Sequence, residues 1–301
     1  MIPHELLSKK NGDDCRLLLT IGQRMLLLLC VMLLCWIVGS VLNGLIIAKF
    51  GQTARVLRIA AVIQSLLQII LPSLVTALMI SRYPARFLEI DRVPRASMTL
   101  LSIALLVVSM PAFNSVIQWN ASLHLPDFMQ GVEQWMRQAE DRSAATIRIM
   151  QGGTSVGDLI LNILIIGVMA GLGEELLFRG TIQRMLTTSG MNPHAAIWIV
   201  AVLFSAIHMQ FFGFVPRMLL GALFGYLLYW SGSLWLPVIV HAANNIIYVV
   251  FQWIALRHNM PAGNIDEIGT RPGEYIYIIV SVMVSALFLW RIHSLSANSD
   301  N

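Results

Sequence analysis

Apolar residues fall in long blocks along this chain, with polar residues gathered between them. Blocks at roughly 25–48, 59–80, 96–118, 156–176, 194–210, 214–230, 233–253 and 275–291 each approach the length of a helix that crosses a bilayer. A helix satisfies its own backbone hydrogen bonds, so in hydrocarbon such blocks predict helices and not open strands. The expected fold is all-α: a polytopic transmembrane helical bundle of about eight spans, with an active site between membrane helices. The 214–230 block is short and flanked by Gly and Pro. No linker, low-complexity tract or internal repeat divides the chain, so residues 1–301 are read as one integral membrane domain.

The longest connection, 119–155, has a pattern of its own. Leu125, Phe128, Met129, Val132, Trp135, Met136 and Ala139 recur at helical spacing, and Pro126 suits a first turn. Asp127, Glu133, Gln134, Arg137 and Glu140 fall opposite them. This predicts an extramembrane amphipathic helix, lying at the bilayer interface, lidding the bundle, or packed as an ordinary loop helix.

Composition agrees with the blocks. Hydrophobic residues make up 57% of the chain and charged residues 12%, far from a soluble profile. A net charge of +4, spread over several loops, is suited to setting orientation and not to binding nucleic acid. The short segment with Arg82, Arg86, Arg92 and Arg95 favours an orientation with both termini inside. Lys9, Lys10, Arg16 and Arg24 precede the first block, which is too long for a signal-peptide core and is expected to be retained. Cys15, Cys30 and Cys35 show no disulfide or metal-binding spacing and are expected to be packing residues.

Three short elements interrupt the apolar blocks with chemistry. The first is Glu174-Glu175-Leu176-Leu177-Phe178-Arg179, at or near the end of the 156–176 block. Glu175 and Arg179, four apart with the acid first, are spaced for an ion pair. Glu174 points about 100° away, free to face a polar cavity as a general base or acid. A juxtamembrane charge cluster marking the helix end would read the same way. The second element is Phe204-Ser205-Ala206-Ile207-His208, with the ring and the imidazole on one face. A lone histidine here could equally hydrogen-bond a backbone carbonyl. The third is His241-Ala242-Ala243-Asn244-Asn245, whose alanines permit close helix approach. His241 and Asn245 could donate to an oxyanion or join a metal shell; the asparagines could instead be interhelical glue. Ser205 lacks a nucleophile-elbow context. Gly171 and Gly173 are expected to relieve crowding between helices.

In this order and membrane setting, the three elements resemble the CPBP family of intramembrane proteases. That family includes type II CAAX prenyl endopeptidases and bacterial bacteriocin-processing or self-immunity relatives. The resemblance covers roughly residues 156–253; residues 1–150 carry no matching motif. It implies that Glu174 and His208 activate water, while His241 and Asn245 stabilise the oxyanion. Glu175 and Arg179 would support the site, and Phe204 would pack beneath it. The implied reaction is hydrolysis of a peptide bond in a membrane-associated protein or peptide. A metal-free mechanism is preferred, since no His-Glu-x-x-His helix is present; a zinc ion held by Glu174, His208 and His241 is the alternative. Resemblance to small bacterial members suggests a bacterial inner membrane. Two other classes remain at this stage: a non-catalytic immunity or scaffold protein, and a proton-coupled transporter. The transporter is disfavoured because the chain lacks paired interrupted segments in matching halves. Substrate identity and oligomeric state have no signature.

Overall fold

A computed structural model describes residues 19–260, 267–271 and 273–297. Lys9, Lys10, Cys15 and Arg16 lie outside the described residues. Within them the protein is an all-helical bundle without strands. The helices are α1 (Ile21–Phe50), α2 (Ala54–Ile80), α3 (Ala96–Val108), α4 (Met110–Ala121), α5 (Gln130–Gln151) and α6 (Val156–Thr188). They continue with α7 (Pro193–Ile207), α8 (Phe214–Ser231), α9 (Trp235–Arg257) and α10 (Tyr275–Ala297).

Every apolar block is helical, but not every block is a full span. Among the described residues six helices are long and apolar enough to cross a bilayer, and α3 with α4, bent by 52° at Ser109, can make a seventh. The remaining block is α7, whose 15 residues reach about 22 Å, short of a hydrocarbon core of about 30 Å. Its chain turns back at residues 208–213 into α8, so α7 and α8 form a hairpin with an irregular tip. The largest boundary correction concerns α6. The expected span stopped at 176, at the charge cluster; the helix instead runs 33 residues to Thr188 and carries that cluster in its interior. Charged residues usually end a span because of their desolvation cost, and here neighbouring helices pair them instead.

Local chemistry sets several ends. Thr20 caps α1 in a reciprocal pairing with Gln23, and Gly51 closes it at a φ of 75°. Ser155 starts α6 by accepting from the Asp158 amide at 3.0 Å. Within α6, residues 163–169 and 176–183 are π-helical and flank the paired glutamates. Such widened turns occur often at functional sites.

Helices α6 to α9 form the centre. On one side, Leu28 of α1 and Ile80 of α2 join Leu177, Phe178, Met185, Val200 and Phe204 in one apolar cluster. On the other, Met98 and Leu105 of α3 and Ile292 of α10 pack on Phe224, Leu227, Leu236 and Val240. Helices α1 and α10 keep long apolar faces outside, including Leu33, Trp36, Leu287 and Trp290, as lipid-facing helices do. Cys30 and Cys35 are free, with Cys30 exposed on this surface. The expectation that the cysteines pack the interior therefore fails for Cys30, because α1 sits at the bundle edge.

Helix α5 is present, and its expected apolar face is divided, with Met136 and Ala139 half-buried. Its inward side includes Glu133, Arg137 and Glu140, while Phe128, Val132 and Trp135 remain exposed. Glu133 accepts from the Leu125 amide at 2.8 Å and from Arg137 at 2.7 Å, and meets His124 at 3.0 Å. The amide bond first, then Arg137 and His124, hold its carboxyl at about 2. A depressed carboxyl stabilises the structure above its ordinary value of 4.5 and loses that contribution as pH falls toward about 2. Hydrogen exchange should therefore show Leu125 amide protection constant from neutral pH down to the ordinary carboxylate range and falling below it. Glu133→Ala should remove the protection throughout; protection that persists in the variant would refute the assignment.

Candidate active site

The three motif elements arrive on α6, at the end of α7, and on α9, and their side chains meet. Glu174 Oε2 lies 3.7 Å from His241 Nε2 and 3.9 Å from His208 Nε2. These gaps exceed direct hydrogen-bond length and leave the carboxylate facing both rings across a narrow space. His241 is 5% exposed, Glu174 19% and His208 29%, so the space opens on the His208 side.

Each ring is oriented from behind. His208 Nδ1 is 2.6 Å from the Phe204 carbonyl, which can only accept, so Nδ1 carries the proton. His241 Nδ1 is 2.7 Å from Glu175 Oε1, an oxygen that also accepts from Arg179, so Nδ1 donates here too and the tautomer is the same. Both Nε2 atoms therefore turn toward Glu174, with lone pairs when the rings are neutral. The backbone bond of His208 and its place beside Glu174 turn out to be one arrangement, not two.

Beneath the rings sits the buried pair. Arg179 Nη1 donates to Glu175 Oε1 at 2.9 Å, the four-residue pairing expected from spacing. Both side chains are fully buried. Arg179 Nη2 also donates to the Gly221 carbonyl at 2.7 Å, which ties α6 to α8. Its guanidinium lies 4.6 Å from the Phe204 ring centre and 5.4 Å from that of Phe224, in cation–π range. Phe204 meets His208 edge-on at 5.0 Å and His241 at 6.0 Å, so it packs directly below the site.

Asn245 is placed differently from its expected partners. It lies one turn beyond His241 on α9, but its amide donates to the Ile166 carbonyl at 3.2 Å. Asn244 donates weakly to its oxygen at 3.4 Å. Ile166 belongs to the first π-helical segment of α6, so Asn245 joins the two helices, as the interhelical-glue reading expected. The close approach rests on small residues: a Cβ on Gly171 would come within 3.2 Å of the Ala242 backbone, and one on Gly173 within 3.2 Å of Ile70. Ser205 is buried and donates to the Phe214 carbonyl at 2.6 Å, which leaves it no role as a nucleophile.

Several contributors were not singled out in the sequence. Phe224 stacks on His241 at 4.7 Å with 20° between the rings. Gly221 leaves no room for a side chain: a Cβ would meet Phe204 at 3.1 Å and Arg179 at 3.3 Å. Gln183 donates to the Gly225 carbonyl at 3.1 Å. The spacing Gly221-Ala222-Leu223-Phe224-Gly225 is a small-xxx-small signal for close helix contact and could have flagged α8. Arg217, one turn into α8, hydrogen-bonds the side chain of Gln210, and its charge acts on Glu174 and His208. Nothing in its local sequence marks it.

As a candidate zinc site the donors have suitable types, and each imidazole is braced through its second nitrogen, as metal-bound histidines are. As placed they do not close on an ion: no group of three or more His, Cys, Asp or Glu among the described residues could hold one.

The carboxylate and the two braced imidazoles lie inside an apolar bundle, on a segment that is similar to CAAX-protease-like membrane proteins. More particularly, residues 156–247 match the family model described as type II CAAX prenyl endopeptidase Rce1-like, and the match takes in every motif residue from Glu174 to Asn245. The resemblance read from the motifs holds over this segment. No curated protein and no solved structure gives a significant match.

Proposed function

We propose that this protein is an intramembrane endopeptidase that hydrolyses a peptide bond of a membrane-associated protein or peptide. The observation carrying this reading is the facing of Glu174 by two imidazole Nε2 atoms at 3.7 and 3.9 Å. A water lying to one side of this gap, not on the line between the atoms, can hydrogen-bond to the Glu174 carboxylate and to a ring nitrogen together.

In this mechanism Glu174, with His208 beside it, takes a proton from water as the water oxygen attacks the scissile carbonyl carbon. The carbonyl oxygen becomes an oxyanion. His241 donates to it through Nε2 when protonated, its ring held by the Glu175 contact at Nδ1. Asn245 retains one amide hydrogen beyond its bond to Ile166 for the same purpose. The proton then passes from Glu174 to the leaving nitrogen, and the C–N bond breaks to give a carboxylate and an amine. No acyl-enzyme forms, in keeping with the buried, carbonyl-bound Ser205.

The preferred chemistry needs no metal. Were zinc bound, Glu174, His208 and His241 would hold it, and it would supply Lewis-acid activation of water. Comparison of membrane proteomes from cells carrying the wild type and Glu174→Ala should reveal proteins or peptides whose shortened forms require Glu174. Purified protein should retain cleavage of such a substrate after exhaustive chelation; complete loss restored by zinc would reverse the metal-free assignment. A proteome unchanged by Glu174→Ala would favour a non-catalytic immunity or scaffold role.

A further inference from the structure

The rotation of α5 leaves an arrangement that proteolysis does not explain. Around this helix, and the turn Asp127–Met129 that leads into it, the side chains fall on three sides of unequal spacing: at 100° per residue the exposed polar stripe lies about 75° from the inward charges, and the exposed apolar one about 130° beyond that. The inward stripe holds Glu133, Arg137 and Glu140. A second, exposed stripe is polar, with Gln134, Asp141 and Arg148. The third is apolar over its first turns and largely exposed: Phe128 is 86% exposed, Val132 44% and Trp135 48%, with Trp135 resting one edge on the Phe211 ring at 5.8 Å, while Arg142 and Thr146 continue this side toward Ile149.

A helix serving only as a soluble cap would turn its apolar stripe to the protein. This one divides its apolar residues: Met136, Ala139 and Ile147 are half-buried beside Glu133, Arg137 and Glu140, while Phe128, Val132 and Trp135 stay largely exposed, and two of the inward charges serve the hairpin tip beneath. Residues 209 and 210 and the 3-10 turn Phe211–Gly213 leave backbone groups outside a regular α-helix, and such groups near membrane depth must find partners in the protein. Glu140 accepts from the Phe212 amide at 2.7 Å, and Arg137 lies over the Phe212 ring at 3.9 Å. From α4, the buried Asn120 donates to the Phe211 carbonyl at 3.2 Å and accepts from the Val215 amide at 2.7 Å. The tip joins His208 to Arg217.

The geometry points to α5 as an interfacial membrane-binding helix, with its Phe128–Val132–Trp135 stripe seated in the headgroup–acyl boundary of the bilayer. The occupant follows from continuity. Trp119 and Leu123, at the end of α4 and just beyond it, and Val156, at the start of α6, are exposed apolar residues that bring the lipid-facing surface to both ends of the segment. A polar stripe toward water, an apolar stripe toward lipid and a third edge on protein are what an in-plane helix at a bundle's rim requires. Lipid and the hairpin tip then hold α5 from two sides, so that its depth in the interface positions the segment following His208.

The inference does not rest on the proposed hydrolysis, and its test needs no substrate. Nitroxide labels can be placed singly at Phe128, Val132, Gln134 and Asp141 in full-length protein with Cys15, Cys30 and Cys35 replaced by Ser, reconstituted in nanodiscs. Power saturation should show labels at 128 and 132 accessible to oxygen and protected from a water-soluble nickel chelate, with the reverse at 134 and 141. Equal nickel accessibility at all four positions would overturn the proposal. Dipolar broadening between copies at 128, which would mean that a second protein covers the stripe, would overturn it too. Monodisperse elution of each labelled variant checks that the substitutions leave the fold intact.

Discussion

Glu174→Gln is expected to lower kcat by about 10²–10⁴-fold, the range of a lost general acid–base group, while leaving insertion and thermal stability close to wild type. The side chain keeps its shape but loses the basicity needed to accept a proton from water. The prediction of unchanged stability comes from geometry. Glu174 faces His208 and His241 at distances beyond direct hydrogen bonding, so the fold does not depend on its charge as it does on that of Glu175. Steady-state cleavage of a membrane substrate identified by its Glu174 dependence, with melting followed in parallel, checks both halves. A Gln variant that cleaves at the wild-type rate would remove Glu174 from the mechanism; one that fails to fold would recast it as structural.

The second large effect falls five residues away, at the partner of Glu175, and has the opposite character. Arg179→Leu should destabilise the protein by about 3–5 kcal/mol, because it strands the fully buried Glu175 without its cation. It also removes the donor that ties α6 to the Gly221 carbonyl of α8. Replacing both members, Glu175→Leu with Arg179→Leu, should recover part of that loss, since no uncompensated charge remains. Stability and activity should then separate. The double variant still lacks the carboxylate that orients His241, and its kcat should stay low after stability is regained. Denaturant titration of the two single variants and the double variant in detergent gives the coupling directly. Additive losses would mean that the pair is not the unit described.

These two outcomes separate neighbours that the bare sequence presents as one acidic cluster. Spacing alone distinguished them, because four residues place Glu175 under Arg179 and turn Glu174 aside. The extent of α6 was not legible in the same way. Charges in an apolar run ordinarily end a span, and only the burial of Glu175 and Arg179 among α8 and α9 lets the helix continue to Thr188. His208 shows a similar limit. A backbone bond and a place beside Glu174 looked exclusive, but the structure gives Nδ1 to the Phe204 carbonyl and turns Nε2 toward Glu174. Asn245 went the other way, with its amide drawn to a carbonyl of the π-helical turn in α6.

Sequence by itself determined what depends on neighbours along the chain. The helical blocks, the Glu175–Arg179 pair and the shared faces of Phe204 with His208 all follow from the fixed rise and turn of a helix. Tertiary structure alone decided which faces meet across helices. It set Phe224 on His241, gave the Gly221 carbonyl to Arg179, closed the α7–α8 tip under Glu140 and Asn120, and left the apolar stripe of α5 largely exposed. The physical reason is that a helix's own geometry fixes the angle between its residues but not its rotation against other helices. That rotation is chosen by side chains far apart in sequence, through close packing at glycines and the need to satisfy every buried polar group.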